Sequence, residues 1–411
     1  MFAFFNNSKE LGLEGLVGSG PSKTPRLAIT DSDRHFLMSY INTKDTARVM
    51  VSVMGELDTP RKSYVLNRGV YDQHGKEVQA HSLPAVMKYD TTQLPRNRLG
   101  LAAWTVNKNN PLTARVFVNQ MWQEIFGRGI VKSSSDFGKQ GDLPTHPELL
   151  DWLAVDFMDH GWDIKRLMKQ IVMSATYRQS AKTTPDKQSK DPDNIYLSRG
   201  PRNRLQAEFI RDIVLSSSGL LNKKIGGASV KPYQPHGLWE SATSGRGTLA
   251  TYIQDHGDSL YRRGMYTFIK LTVPPPSMVM FDASNRDQCE VKRSRTNTPL
   301  QALIMMNDPT VLEASRVLAQ KLSAEQSSSA EKITKAFRLI VCRKPSDKEL
   351  KTLQDYYNDQ LQEFQQKKLN ADKTLDAGEY STMKNSDIMS TAALMKIITT
   401  IYNLEETITK T

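Results

Sequence analysis

Hydrophobic positions recur at helical spacing over most of the chain, whereas alternating spacing is confined to short stretches near its start. Val49, Val51 and Val53 would fall on one face of an extended Arg48–Met54 segment, which predicts a strand. Lys62–Leu66 and Gly69–Tyr71 suit a second strand, and Asp72–Gly75 is predicted as a turn. We therefore expect a small β-rich segment between residues 45 and 85.

From Asn97 onward the apolar spacing is helical, and residues that favour helix ends bound most of the segments. Helices are predicted at residues 97–104, 110–127, 145–161, 163–172, 204–218, 298–307, 308–322, 346–364 and 389–404. Three of them begin with capping-box spacing, at Thr145–Glu148, Thr298–Gln301 and Ser346–Glu349. A strand is predicted over Arg263–Val273. The predicted fold class is mainly α with a smaller β part (α+β), a helical bundle plus short antiparallel strands.

The same patterns divide the chain into two predicted parts. Residues 1–95 combine a loop rich in Gly and Pro with the β-rich segment, and residues 96–411 form a mainly helical domain. Polar stretches near 181–194 and 323–330 predict secondary boundaries within it. The Gly-rich stretch Gly15–Thr24 lacks the lysine that directly follows the last glycine of a phosphate loop, so we expect an ordinary loop there.

Composition and charge exclude several classes of protein. The 411 residues are 38% hydrophobic, which suffices to bury a core, and no apolar run approaches the length of a membrane span. Two cysteines, Cys289 and Cys342, exclude a disulfide scaffold, a cysteine zinc finger and a Cys-x-x-Cys-His haem site within this chain. The net charge of +11 is spread along the chain among acidic residues. Nucleic-acid binding is therefore the weakest of the functions considered.

Three polar residues are candidates for acid–base chemistry. His146 lies in the predicted helix start Thr145–Glu148, and Asp136 belongs to an Asp-Phe-Gly tripeptide. His256 stands between acidic neighbours in Asp255–Asp258, which would favour the protonated imidazole. The alternatives are a turn with a buried Phe for Asp136, a hydrogen bond to a carbonyl for His146 and a polar loop for His256. No histidine pair has the spacing of a helical zinc site, so no metal is predicted.

Arginine-rich stretches suggest anion binding, since the guanidinium fork binds carboxylate, sulfate or phosphate at two points. One stretch flanks and enters the helix predicted at 204–218, and another precedes the helix predicted at 298–307. The residues that we single out as anion ligands are Arg204, Arg211, Arg293, Arg295 and Asn297. The alternative is that these arginines form structural salt bridges with Asp282, Asp287 and Glu290.

Several stretches together resemble one protein family. They are Asn97-Arg-Leu-Gly-Leu-Ala-Ala-Trp104, Asn110-Pro-Leu-Thr-Ala-Arg-Val-Phe-Val-Asn-Gln-Met-Trp122, Phe126-Gly-Arg-Gly129, Ser135-Asp-Phe-Gly138, Pro144-Thr-His-Pro-Glu-Leu-Leu-Asp-Trp-Leu153, Ser174-Ala-Thr-Tyr-Arg178, Pro274-Pro-Pro-Ser-Met278, Arg295-Thr-Asn-Thr-Pro-Leu-Gln-Ala-Leu303 and Asn403-Leu-Glu-Glu-Thr-Ile408. The chain is similar over residues 95–411 to the planctomycete-specific domain family of unknown function. In that family the domain usually follows a planctomycete cytochrome c-type domain.

The resemblance carries expectations about partners and location. Phe2–Asn7 is similar to the segment that follows the haem motif of the upstream domain, so we expect an N-terminally truncated chain. Haem would then belong only to a missing upstream domain, with no cofactor in this chain. The family setting implies, by association alone, a periplasmic or cell-envelope protein. It implies in the same way that the protein handles anionic polysaccharide that is sulfated or uronate-rich. The alternative is a non-catalytic structural domain that docks on the cytochrome c-type domain.

Overall fold

Buried apolar residues gather in separate cores, and the chain divides into two compact units, Met1–Pro201 and Arg202–Thr411. The computed structural model describes all residues except 11–23, 31, 33, 35–48, 244–248, 285, 287, 382–386 and 411. The division follows shortly after the predicted linker at 181–194. The predicted boundary at residue 95 stays a prediction, and the loop predicted at Gly15–Thr24 lies, apart from Thr24, outside the described residues.

The N-terminal unit begins with two small antiparallel sheets. Strand β1 (Arg26–Ala28) pairs with β2 (Met50–Ser52), and β3 (Ser63–Leu66) pairs with β4 (His74–Val78). The predicted strand at 48–54 is confirmed in its central residues.

The predicted strand at 69–71 and the turn at 72–75 are wrong. A short 3-10 turn occupies Asn67–Gly69, where Arg68 has φ 54° and Gly69 has φ 76°. Two consecutive residues in the left-handed region reverse the chain, and glycine accepts that conformation without steric cost. The reversal comes earlier than predicted, so β4 already begins at His74.

Five α-helices follow β4 in the described part of this unit: α1 (Arg98–Thr105), α2 (Thr113–Phe126), α3 (Pro147–Asp159), α4 (Ile164–Met173) and α5 (Pro185–Lys190). Helices α2 to α4 bury Val118, Phe157 and Leu167 in a common core. Gly127, at φ 80°, ends α2 in the left-handed conformation that favours glycine. The helices predicted from the apolar spacing of this region are therefore confirmed.

The C-terminal unit is mainly helical. Its helices are α6 (Ala207–Ser218), α7 (Leu238–Thr243), α8 (Pro276–Met280), α9 (Pro299–Asn307), α10 (Pro309–Ser323), α11 (Ser329–Val341), α12 (Asp347–Gln365), α13 (Ala371–Leu375), α14 (Ile388–Tyr402) and α15 (Glu405–Ile408). Helix α14 lies at the centre, because apolar residues on different sides of it, among them Ala392, Ile397 and Ile398, are fully buried. Helices α10, α11 and α12 pack around it.

One antiparallel ladder, β5 (Asn203–Arg204) with β6 (Thr409–Lys410), joins the two ends of this unit. The strand predicted at 263–273 is wrong, since 3-10 turns occupy Gly257–Tyr261 and Gly264–Tyr266. The physical reason is that Gly264 donates its N–H to Asp212 of α6, at 2.7 Å, rather than to a neighbouring strand. Fold class is confirmed as mainly α with small antiparallel sheets, and none of the described helices is long and apolar enough to cross a membrane.

Two of the three predicted capping boxes differ from their expected form. Ser346 and Glu349 exchange the expected hydrogen bonds at the start of α12. At α3 the N-cap residue is His146 rather than Thr145, and its side chain makes no capping bond. At α9 the side chain of Gln301 donates to other carbonyls instead of reaching back to Thr298.

Candidate functional site

An open cavity of about 460 Å³ lies in the C-terminal unit, where the β5–β6 ladder meets the segment that precedes α9. We call it the arginine groove. It is lined by Arg202, Asn203, Arg204, Arg295, Thr296, Asn297, Glu405, Ile408 and Thr409. Of the predicted anion ligands, Arg204, Arg295 and Asn297 therefore share one cavity.

The groove is built from segments that are distant in the sequence. Arg204 stands opposite Thr409 in the ladder, and Leu205 donates its N–H to the carbonyl of Ile408 at 2.8 Å. These main-chain contacts bring the polar side chains that precede α6 beside those that follow α14. Three of the four ladder residues, Asn203, Arg204 and Thr409, line the groove.

The segment before α9 is held by two buried polar side chains. The Asp282 carboxylate accepts from the N–H of Thr296 at 2.8 Å and from its hydroxyl at 3.0 Å. Gln301, which is fully buried, donates its amide to the carbonyls of Met280 and Thr296 at 2.9 and 3.1 Å. Thr296 is thereby fixed, and its neighbours Arg295 and Asn297 both line the groove.

Arg204 is the most enclosed cation of the groove, because only 8% of its side chain is exposed. It forms an ion pair with Asp282 and donates to the Phe281 carbonyl at 3.3 Å. Its Nε, like the amide nitrogen of Asn203, is buried without a hydrogen-bond partner. Burial lowers the pKa of Arg204, and the charge of Arg295 lowers it further, although Asp282 opposes both. Unused donors and neighbouring cations together make an environment that favours an anion.

Two other arginines of the groove are more accessible. Arg202 pairs with Glu405 at 2.9 Å, and both side chains are more than half exposed, so the pair contributes little to stability. No described carboxylate forms an ion pair with Arg295. The pKa of Lys410 on β6 is lowered first by burial and then by Arg295, which places a further cation near the groove.

The remaining predicted anion ligands lie elsewhere in the C-terminal unit. Arg293 donates to Glu208 at 2.7 Å and to Gln206 at 3.2 Å, so it forms a salt bridge, although with Glu208 rather than with one of the carboxylates considered from the sequence. Arg211 does not line the groove and faces a separate cavity. Asp282 does pair with Arg204, whereas Asp287 lies outside the described residues.

None of the acid–base candidates lines the arginine groove. Asp136 and His146 belong to the N-terminal unit. The Asp136 carboxylate accepts from the N–H of Gly138 at 2.7 Å, as in an ordinary polar turn. His146 lies at the start of α3, with its Nδ1 at 2.9 Å from the Thr145 hydroxyl. Neither contact by itself activates a nucleophile or a water molecule.

His256 has a carboxylate partner that its sequence neighbours did not indicate. Its Nδ1 lies 2.6 Å from the Glu379 carboxylate, which also accepts from the N–H of Gly257 at 2.6 Å. Asp255 instead accepts from the main chain of Lys231. The imidazole is 73% exposed, so the pair lies at the surface. There it links the start of the Gly257–Tyr261 turn to Glu379.

Metal or cofactor ligands were searched among the described residues. In that part of the chain no three His, Cys, Asp or Glu side chains form a group that could hold a metal ion. Both cysteines are exposed and unpaired. The expectation that haem belongs to an upstream domain stays a prediction.

Several groove residues were not singled out from the sequence. Asn203, Thr409 and Glu405 line the cavity, yet none of them lies in a pattern that indicates a ligand. Arg202 was noted only as a member of the arginine-rich stretch. The signal that could have found Glu405 is the closing stretch Asn403–Ile408, which carried part of the family resemblance.

Comparison with known proteins identifies a family whose function is unknown. The family model PSD1, described as a protein of unknown function (DUF1553), matches residues 97–357. No curated protein and no solved structure matches the chain. The match spans more than half of the chain and includes the groove segment that precedes α9. The chain therefore belongs to the DUF1553 family of proteins of unknown function, as its sequence resemblance predicted.

Proposed function

We propose that the C-terminal unit binds an anionic polysaccharide, sulfated or uronate-rich, through the arginine groove, as part of a large cell-envelope protein. The observation that carries the proposal is the convergence of Arg202, Arg204 and Arg295 on one open cavity. The guanidinium group of an arginine can donate two hydrogen bonds to one sulfate or carboxylate group. An open groove also allows a polysaccharide chain to extend beyond the sugar residue that the arginines bind.

The polar residues between the arginines suit a sugar. Asn203 and Asn297 offer amide donors and acceptors, and Glu405 offers carboxylate oxygens that can accept from hydroxyl groups. We propose binding rather than catalysis, because the two carboxylates at the groove, Asp282 and Glu405, are each held by an arginine. A carboxylate in such a pair is a poor general acid at neutral pH.

The direct test is calorimetric titration of the full chain at low salt with heparin hexasaccharide, oligogalacturonate and neutral cellohexaose. We expect the two charged glycans to bind and cellohexaose not to bind. Arg295→Gln should weaken binding by about tenfold, the loss of one charge-assisted contact. Lys292→Gln removes the same charge from an exposed residue that does not line the groove, and should bind like the wild type.

Three outcomes would overturn the proposal. The first is no binding of either charged glycan, and the second is an equal loss of affinity in Arg295→Gln and Lys292→Gln. The third is tighter binding of a single-stranded DNA of the same total charge, which would favour the nucleic-acid function instead. Affinity for the glycans should also fall as salt is added, because counterions compete for the arginines.

A second candidate function, docking on a cytochrome c-type domain, is favoured by an aromatic cluster at the start of the N-terminal unit. Phe4 is buried and packs on Tyr89, at 5.4 Å between ring centroids, whereas Phe2 is 92% exposed and Phe5 is 54% exposed. Exposed aromatic residues on a fixed anchor suit a protein interface. Co-expression with a cytochrome c-type domain of the family tests this function, and it fails if Phe2→Ser with Phe5→Ser leaves co-purification unchanged.

A further inference from the structure

A second cavity, separate from the arginine groove, lies beside α6 in the C-terminal unit. We call it the Arg211 cavity. It measures about 60 Å³, and its lining is mostly apolar, with Val214, Met278 and Phe281 among the residues. The polar side chains in its lining include Arg211, Gln234, Tyr252, Thr267, Asp308 and Thr310.

Three of these polar groups carry hydrogen-bonding atoms that no described residue satisfies. The Nε of Arg211, the amide nitrogen of Gln234 and the hydroxyl of Thr267 are all buried without a hydrogen-bond partner. Thr267 is 96% buried, since its exposed fraction is 4%. Buried polar groups are almost always paired in proteins, so three unpaired ones around a single cavity indicate that something else occupies it.

The direct contacts of Arg211 are a further feature of the cavity. Its guanidinium donates to the Thr310 hydroxyl at 3.3 Å and to the Leu260 carbonyl, which are both neutral. No carboxylate among the described residues forms an ion pair with it. The nearby carboxylates Asp212 and Asp308 accept from the N–H groups of Gly264 and Thr310, and neither makes a direct contact with Arg211. Burial lowers the pKa of Arg211, although the charges of Asp308 and Asp212 oppose this shift.

We infer that the Arg211 cavity binds a small monocarboxylate, whose oxygens accept from Arg211, Gln234 and Thr267 and whose short apolar part contacts Met278 and Phe281. The volume corresponds to about two water molecules, which fits a carboxylate with a short substituent. Sulfate or phosphate fits less well, because neither has an apolar part and Asp308 in the lining repels a dianion.

The test is saturation-transfer NMR and calorimetry on the full chain with acetate, propionate, neutral acetamide and sulfate. We expect saturable binding of acetate and propionate, and at least tenfold weaker binding of acetamide and sulfate. Thr267→Val keeps the shape of the side chain and removes the unpaired hydroxyl, so it should weaken acetate at least fivefold without lowering the melting temperature. Thr267→Ser keeps the hydroxyl and should retain the affinity.

Further variants separate this site from the arginine groove. Arg211→Gln should abolish acetate binding, whereas Arg295→Gln and Lys292→Gln should leave it unchanged. The inference is overturned if acetate shows no saturable binding, if Thr267→Val binds it like the wild type, or if sulfate binds more tightly than acetate. A crystal structure that shows only water in the cavity at saturating acetate would overturn it as well. None of these outcomes depends on whether the groove binds a glycan.

Discussion

The Arg204 guanidinium lies over the ring of Phe281, with 5.7 Å between its Cζ and the ring centroid. It also donates to the Phe281 carbonyl. Arg204 lines the arginine groove, and Phe281 lines the Arg211 cavity. The two cavities therefore meet at this contact, where a cation and the face of an aromatic ring attract each other. Each cavity can nevertheless be tested by its own variants.

Asp282→Asn is expected to raise the affinity of the groove for anions while it lowers stability. Asp282 neutralises Arg204 and fixes Thr296, and its own side chain is only 17% exposed. Asparagine accepts the positive φ of 55° found at this position. We expect a loss of about 1–3 kcal/mol in the free energy of unfolding and about two- to fivefold tighter binding of heparin hexasaccharide. Denaturant titration and calorimetry measure the two effects, and weaker binding would contradict the electrostatic reasoning.

Gly378→Ala is expected to destabilise the C-terminal unit more than Gly237→Ala does. Both glycines have a left-handed φ, 75° and 76°, so alanine is strained at either position. A Cβ at Gly378 would also overlap the carboxylate of Glu313, whereas nothing lies within 4 Å of one at Gly237. Glu313 is fully buried and accepts from the Tyr380 N–H at 2.7 Å, so it has no room to move.

The expected losses in the free energy of unfolding are about 1 kcal/mol for Gly237→Ala and about 2–4 kcal/mol for Gly378→Ala. Chemical denaturation of the two variants beside the wild type provides the comparison. Equal losses would mean that the segment around Gly378 does not pack on Glu313 in solution.

Arg343→Gln is expected to remove a stabilising contribution that the wild type itself loses at acidic pH. Arg343 donates to both carboxylate oxygens of Glu349, at 2.7 and 2.9 Å, and likewise to those of Glu406. These bonds lower the pKa of Glu349 to about 2 from its ordinary value. A carboxyl with a lowered pKa stabilises the folded state above its unfolded pKa, and this contribution is lost as the pH falls toward 2.

The difference in stability between the wild type and Arg343→Gln should therefore be full at neutral pH, decline below about pH 5 and vanish near the folded pKa. Denaturant unfolding at a series of pH values measures it. Lys344→Gln, at an exposed neighbouring position, removes the same charge and should show no such dependence. A difference that is constant with pH would argue against the ion pairs.

Asn119→Ala is expected to destabilise the N-terminal unit by about 2–4 kcal/mol, because it leaves buried main-chain groups unsatisfied. Asn119 is fully buried in α2, accepts from the N–H of Val131 at 2.8 Å and donates to its carbonyl at 3.0 Å. Asn109→Ala is the matched control at an exposed position and should cost less than about 0.5 kcal/mol. Thermal unfolding of both variants checks the prediction, which fails if they melt alike.

Most helices could be predicted because their signals are local. Asp163 caps α4 and Ser346 caps α12 as the sequence indicated, and Gly127 ends α2. Predictions failed where a distant partner replaced a local one. Residues 263–273 read as a strand, but Gly264 bonds to α6, and no apolar pattern encodes that contact.

The candidate site shows the same limit. The sequence indicated which arginines could bind an anion, and Arg204, Arg295 and Asn297 do share the groove. It could not indicate that Arg293 forms an ion pair with Glu208 or that Arg211 lines another cavity. Nor could it place Glu379 beside His256, since 123 residues separate the two.

By itself the sequence determined the family, the mainly helical class and the supply of arginines, because these follow from composition, from spacing and from caps that act within a few residues. The tertiary structure alone decided which cations remain available. Burial and pairing depend on side chains brought together by the β5–β6 ladder and by packing around α14. Arg293 is held by Glu208 and Gln206, whereas no carboxylate among the described residues forms an ion pair with Arg211 or Arg295.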